Sequence, residues 1–111
     1  MNARLKWAHL ADCNLAWANF DGADLLGGYL SRSILCEASL SGTNLDGTVL
    51  EMADLRWTDL RNTYGVDQQA LEITFGNDAT ALPEGLSRPA HWSFDVETQQ
   101  AKVEEKLSKR R

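Results

Sequence analysis

The fold is decided by a stretch at residues 23–47, which reads ADLLG GYLSR SILCE ASLSG TNLDG. Each group of five residues has leucine at its third position and a small side chain at its first position. The pattern extends without a change of register from Leu5 to Leu60, with phenylalanine at position 20. Because a period of five matches neither the 3.6 residues of a helix nor the 2.0 residues of a strand, it indicates an internal repeat.

A resemblance to a known family is carried by units such as ADLLG (23–27), TNLDG (43–47), ADLRW (53–57) and CNLAW (13–17). These units resemble the pentapeptide-repeat family, whose consensus is a small residue, Asp or Asn, Leu and two variable residues. The resemblance implies a right-handed quadrilateral β-helix with four units in each coil and with the leucine and small side chains inside. The units that depart from the Asp/Asn position carry Arg4, His9, Tyr29, Ile34, Ser39 and Val49, which the resemblance places on the outside.

The packing of such a coil follows from elementary physics. A bulky leucine that alternates with a small residue fills a narrow tube without voids. Twelve units at four to a coil give about three coils, each about 4.8 Å thick, and a tube roughly 14 Å tall. The glycines at 22, 27, 42 and 47 stand at the fifth position of their units, where a corner favours positive φ. We therefore predict an all-β solenoid, a β-helix of about three coils with a short C-terminal helix and an extended tail.

The repeat pattern stops near residue 64, because Gly65 takes the next centre position and cannot fill the tube. This predicts three parts: a pentapeptide-repeat β-helix at 3–64, a capping helix and strap at 65–95, and a charged tail at 96–111. The tail is only weakly amphipathic, and we expect it to be a frayed helix or disordered.

The capping helix is predicted over Gln68–Phe75. Asp67 is its expected N-cap, Leu71 and Phe75 form an apolar pair that faces the last coil, and Gly76 ends the helix. The strap, FGNDATALPEGLSRPAHW at 75–92, resembles a tail that follows the repeats in bacterial members of the family. Its expected anchors on the coil are Leu82, Leu86 and Trp92.

Apolar side chains gather on the outside of two adjacent faces of the predicted coil. An apolar patch of this kind, rimmed by charge, typically marks a covered or a binding surface, and Trp and Tyr are frequent interface anchors. Two interpretations remain open: the chain's own strap covers the patch through Leu86 and Trp92, or a partner does. We call these six residues the candidate interaction surface: Trp17, Tyr29, Ile34, Val49, Met52 and Trp57.

Charge bears on a second activity that the resemblance implies, since some pentapeptide-repeat proteins mimic DNA and act on DNA gyrase. The repeats hold eight acidic and five basic residues, a net charge of −3. Duplex DNA carries one charge per about 1.7 Å, so a tube roughly 14 Å tall would need about eight uncompensated charges. The sequence thus favours a non-enzymatic protein-interaction or scaffold module over a DNA-mimicking regulator of a gyrase-type topoisomerase. Direct nucleic-acid binding is not expected either, because the net charge of the chain is −5.

No arrangement typical of a catalytic, metal or cofactor site is found in the sequence. His9 and His91 stand in unrelated contexts, and Cys13 and Cys36 lack the spacing of a metal or disulfide pair. We therefore expect no enzyme activity and no cofactor. The sequence has no apolar run of membrane-spanning length and no signal-peptide pattern, so we expect no membrane contact and a cytoplasmic location.

The start of the repeat raises the question of self-association. The first unit begins at Ala3, which leaves two residues to cover the first coil, whereas solenoids normally carry a cap at each end. The uncapped N-terminal coil could stack on a second copy, forming a homo-oligomer, or on another protein. Alternatively, the first coil is frayed, or the chain is a shortened relative of longer members.

Overall fold

The sides of the solenoid are single parallel β-bridges that recur every twenty residues. In the computed structural model, which describes residues 3–110, four columns of such bridges surround the tube, and we number them one to four in chain order. The columns contain residues 4, 24, 44 and 64; 9, 29 and 49; 14, 34, 54 and 75; and 19, 39, 59 and 81. Four repeat units therefore form one coil, as the resemblance implies.

Tight turns join the columns at the corners of each coil. In the first of them, the Ala8 N–H donates to the Leu5 carbonyl at 3.0 Å, and Trp7 has a φ of 61°. This is the pattern of a type II turn, whose third residue has positive φ. Glycine stands at this position in only four of the twelve corners, so eight corners hold a side chain in the left-handed region. Backbone hydrogen bonds between successive coils hold these corners in place. At the first corner, the Trp7 N–H donates to the Leu26 carbonyl at 2.9 Å.

The core is a stack of the centre leucines, and those from Leu25 to Leu60 are buried. Threonines at the small position add a second contact between coils. The Thr58 hydroxyl donates to the Leu35 carbonyl at 2.6 Å, and the Thr43 hydroxyl donates to the Phe20 carbonyl at 2.8 Å. These bonds satisfy a hydroxyl that would otherwise be costly to bury.

A fourth, irregular coil continues the tube beyond the predicted end at residue 64. Tyr64, Phe75 and Ala81 extend columns one, three and four, and the Thr80 hydroxyl donates to the Leu55 carbonyl at 2.7 Å. The boundary drawn from sequence therefore differs from the structure. Gly76 takes a centre position in this coil, opposite Leu55. The Trp92 indole lies against Gly76 and supplies the missing bulk, and a Cβ added at Gly76 would overlap the ring.

The first helix, α1, spans Gln68–Leu71 and fills part of this fourth coil. Its predicted N-cap is confirmed, because the Asp67 carboxylate accepts from the Ala70 N–H at 2.8 Å. The predicted extension to Phe75 is wrong. Phe75 joins column three instead: its N–H donates to the Ala53 carbonyl at 2.9 Å, and its carbonyl accepts from the Leu55 N–H at 2.7 Å.

A 3₁₀-helix at Ala90–Ser93 leads to the second α-helix, α2, at Val96–Arg110. The sequence predicts a frayed or disordered tail here, whereas the structure contains an ordered helix. The reason is packing, since Val103 and Leu107 are buried against Ile73 and Phe75 of the fourth coil.

Candidate interaction surface

The six residues of the candidate interaction surface lie on columns two and three and on the corners that follow them. Tyr29 and Val49 are neighbours in column two, and Ile34 belongs to column three. Met52 stands at a corner after column two, while Trp17 and Trp57 stand at corners after column three, all three with positive φ. The structure thus places the six side chains on adjacent faces of the tube.

Five of the six side chains are open to solvent. Trp17 is 76% exposed and Trp57 49%, and Tyr29, Ile34 and Val49 are 41, 41 and 36% exposed. Met52 differs, because it packs against Val103, Leu107 and the fourth coil. Helix α2 therefore covers one end of the surface and leaves the aromatic residues free.

The strap does not cover this surface in the way that the first interpretation proposed. Trp92 is 3% exposed and belongs to the core of the tube, where its indole N–H donates to the Thr74 carbonyl at 3.2 Å. Leu82 and Leu86 pack against the same core. Sequence reasoning missed α2 as the covering element, because its buried positions include the polar Gln99.

Two cavities lie where α2 meets columns two and three. One has a volume of about 340 Å³ and is lined by Arg32, Met52, Gln100, Glu104 and Leu107. The other, about 270 Å³, is lined by Arg32, Ser33, Ile34, Met52, Asp54, Phe75, Val96 and Gln100. The two cavities share Arg32, Met52 and Gln100, so they form one groove of mixed polar and apolar lining, with Glu104 and Asp54 as its carboxylates.

A charged pair borders Trp57. Arg56 binds Asp54 in a bidentate fashion, with Nε–Oδ1 and Nη2–Oδ2 distances of 2.9 and 2.8 Å, and its guanidinium lies 5.5 Å from the Trp57 ring centroid. Burial, together with the Asp54 carboxylate, raises the pKa of the neighbouring Cys36 thiol. A raised pKa leaves less of this thiol as thiolate, which is the nucleophilic form of cysteine.

At the other side of the surface, His9 packs on Tyr29 with ring centroids 5.0 Å apart.

Within residues 3–110, no group of three or more His, Cys, Asp or Glu side chains is placed to hold a metal ion. None of the helices in that range has the length and apolar character needed to cross a membrane.

The family model for pentapeptide repeats matches residues 1–35 and 29–62 with eight copies, which is just over half of the chain. The chain therefore belongs to the pentapeptide-repeat family, which confirms the resemblance drawn from its units. No curated protein matches the chain.

The solved structures that are similar to the chain include the following two. One is alr5209, a pentapeptide repeat protein from Nostoc Pcc 7120, at 22% identity and a TM-score of 0.31, covering 89% of this chain and 83% of that one. The other is QnrB1, a plasmid-mediated fluoroquinolone resistance protein, at 15% identity and a TM-score of 0.32. That match covers 90% of this chain and 42% of QnrB1.

Proposed function

We propose that this chain is a non-enzymatic protein-interaction module that binds a protein partner through the candidate interaction surface. The observation that carries the proposal is the exposure of Trp17 and Trp57 on one side of the coil, beside Tyr29 and Ile34. A cluster of exposed apolar side chains typically marks an interaction surface, and Trp and Tyr are the side chains that most often anchor interfaces. The cytoplasmic location and the absence of enzyme activity stay predictions.

The positions of these side chains favour recognition by a preformed surface. Trp17 and Trp57 stand at corners whose backbone N–H groups are bonded, Trp17 to the Cys36 carbonyl at 3.0 Å and Trp57 to the Asn77 side chain at 3.2 Å. A partner therefore meets aromatic side chains on a fixed backbone, which limits the ordering cost of binding.

The ion pairs weigh against the alternative of a DNA-mimicking topoisomerase regulator. Three carboxylates of the repeats already face cations: Asp24 with Lys6 at 3.7 Å, Asp54 with Arg56 at 2.8 Å and Asp59 with Arg61 at 2.9 Å. A mimic needs a concentrated negative face, and such pairing lowers the field that would attract a DNA-binding enzyme.

The test is affinity capture from a cell extract with wild type and a Trp17→Ala/Trp57→Ala variant. We expect a defined protein to be enriched by wild type and lost by the variant, with an unchanged melting temperature. The matched control is Trp7→Ala, since Trp7 is 61% exposed at the equivalent corner after column one. Equal capture by all three proteins would contradict the proposed surface.

A further inference from the structure

A buried histidine joins α2 to the fourth coil. His91 is 3% exposed; its Nε2 lies 2.6 Å from the Thr74 carbonyl oxygen, and its Nδ1 lies 3.2 Å from Lys106 Nζ on α2. A lysine ammonium can only donate, so Nδ1 must accept and the ring proton must be on Nε2, which donates to Thr74. The geometry therefore requires a neutral His91.

Lys106 is shared between His91 and the end of α1. Its ammonium lies 2.8 Å from Glu72 Oε1 in an ion pair and also donates to the Glu72 carbonyl at 3.4 Å. Burial acts to raise the pKa of Glu72, but hydrogen bonds from Lys106 and Gln68 outweigh it, and the net pKa is lowered. Glu72 thus stays ionised near neutral pH, and His91 is the member of the cluster whose charge can change there.

We propose that His91 is a proton-sensitive latch, and that its protonation releases α2 from the coil. A proton added to Nδ1 places a second cationic donor against Lys106 Nζ, so the bond between the 3₁₀-helix and α2 becomes a repulsion. The other charged groups facing the ring from α2 are Lys102, Glu105 and Lys109, which line the adjoining cavity of about 290 Å³. Together with Lys106 and Glu72, these groups make three lysines and two glutamates, so the surroundings of the His91 ring have a net positive charge.

The direction of the pH effect follows from the shift of the His91 pKa. Burial lowers this pKa, the Lys106 and Lys102 charges lower it further, and the Thr74 hydrogen bond and Glu72 only partly oppose them. A folded-state pKa below the ordinary value of about 6.5 means that the closed state binds fewer protons than the open one. The contribution of the latch is present above pH 6.5, roughly the unperturbed histidine value, and is lost as the pH falls through the folded-state pKa.

Release would uncover the apolar surface beneath α2. Val103 and Leu107 would leave Met52, Ile73 and Phe75 exposed, which extends the apolar area next to Ile34. This inference stands independently of the proposed partner, because it concerns only the attachment of α2 to its own coil.

The experiment is hydrogen–deuterium exchange of the full chain at pH 7.5 and 5.5, corrected for the intrinsic pH dependence of exchange. We expect the protection of peptides from α2 to fall by up to about tenfold per pH unit below about 6.5. Peptides from residues 28–40 in the second coil should keep their protection. Unchanged protection of α2, or an equal loss in the second coil, would overturn the latch.

Two substitutions separate the latch from general acid sensitivity. His91→Gln keeps a donor for Thr74 and an acceptor for Lys106 but cannot be protonated, so α2 should stay protected at pH 5.5. His9→Gln replaces the other histidine, which is exposed in column two, and should behave as wild type. If His91→Gln does not fold, an NMR titration of wild-type His91 decides, since a pKa at or above the ordinary value would sink the proposal.

Discussion

At the scale of single residues, Gly76 shows how one missing side chain can be a structural requirement. It takes the place of a centre leucine in the fourth coil, and the Trp92 indole occupies the space that the leucine would fill. The sequence predicted Gly76 as the end of a helix, because a glycine after an apolar pair is a common helix stop. Its actual role depends on a tryptophan sixteen residues later, and no local pattern reveals that contact.

Gly76→Ala should lower the free energy of unfolding by about 1–3 kcal/mol, because the added methyl group overlaps the Trp92 ring. Urea denaturation followed by circular dichroism measures the change. The control repeats the substitution in a Trp92→Leu background, where the ring is absent and the cost should fall below about 0.5 kcal/mol. An equal cost in both backgrounds would show that the contact with Trp92 does not set the requirement for glycine.

At the scale of elements, α2 is held by a polar side chain as well as by its apolar face. Gln99 accepts from the Gly76 N–H at 3.0 Å and donates to the Gly76 carbonyl at 2.9 Å, while Val103 and Leu107 pack nearby. The sequence indicated a weak helix, because an amphipathic pattern counts only apolar residues as core positions and therefore omits the buried Gln99. The N-cap of α1 was predictable, since capping depends on local residues alone.

Gln99→Leu should detach α2, because it leaves the N–H and carbonyl of buried Gly76 without partners, at about 1–3 kcal/mol for each group. Helical ellipticity at 222 nm should fall, and α2 should become a site of rapid tryptic cleavage. Gln100→Leu is the matched control, since Gln100 is exposed and bonds only Glu104 on its own helix. If Gln100→Leu loses as much helix as Gln99→Leu, the bonds to Gly76 are not what holds α2.

At the scale of the whole molecule, the five-residue period indicated an internal repeat, and the resemblance to pentapeptide repeats supplied the β-helix and its twenty-residue stacking. The period was less informative at the end of the tube. It failed for the fourth coil, because the unit Thr80–Leu82 stands alone and out of register with Leu60. The pairing of Ala81 with Asp59 restores the register in space, after α1 and a loop have absorbed the extra residues. A sequence period detects only repeats that follow one another without interruption. Backbone pairing between coils requires only that a donor and an acceptor lie next to each other in space, whatever the number of residues between them.

Self-association through the first coil is the prediction that belongs to this scale. Its centre residues Leu5, Leu10, Leu15 and Phe20 are only partly buried, unlike those of the second coil. We expect the apparent mass in multi-angle light scattering to rise with concentration from the micromolar to the millimolar range, as the partly buried ends pair. A constant monomer mass across that range would remove the basis for a homo-oligomer.

The twenty-residue register also couples the length of this molecule to its orientation. An inserted unit of five residues would turn everything after it by one face, and only an insertion of twenty residues would return each column to its place. A single added unit between Tyr29 and Leu60 would therefore carry α2 away from the faces that hold Trp17 and Tyr29. In this fold, an insertion lengthens the tube and also rotates everything that follows it. A change of length can therefore move α2 from one face of the tube to another without altering any residue of α2 or of those faces.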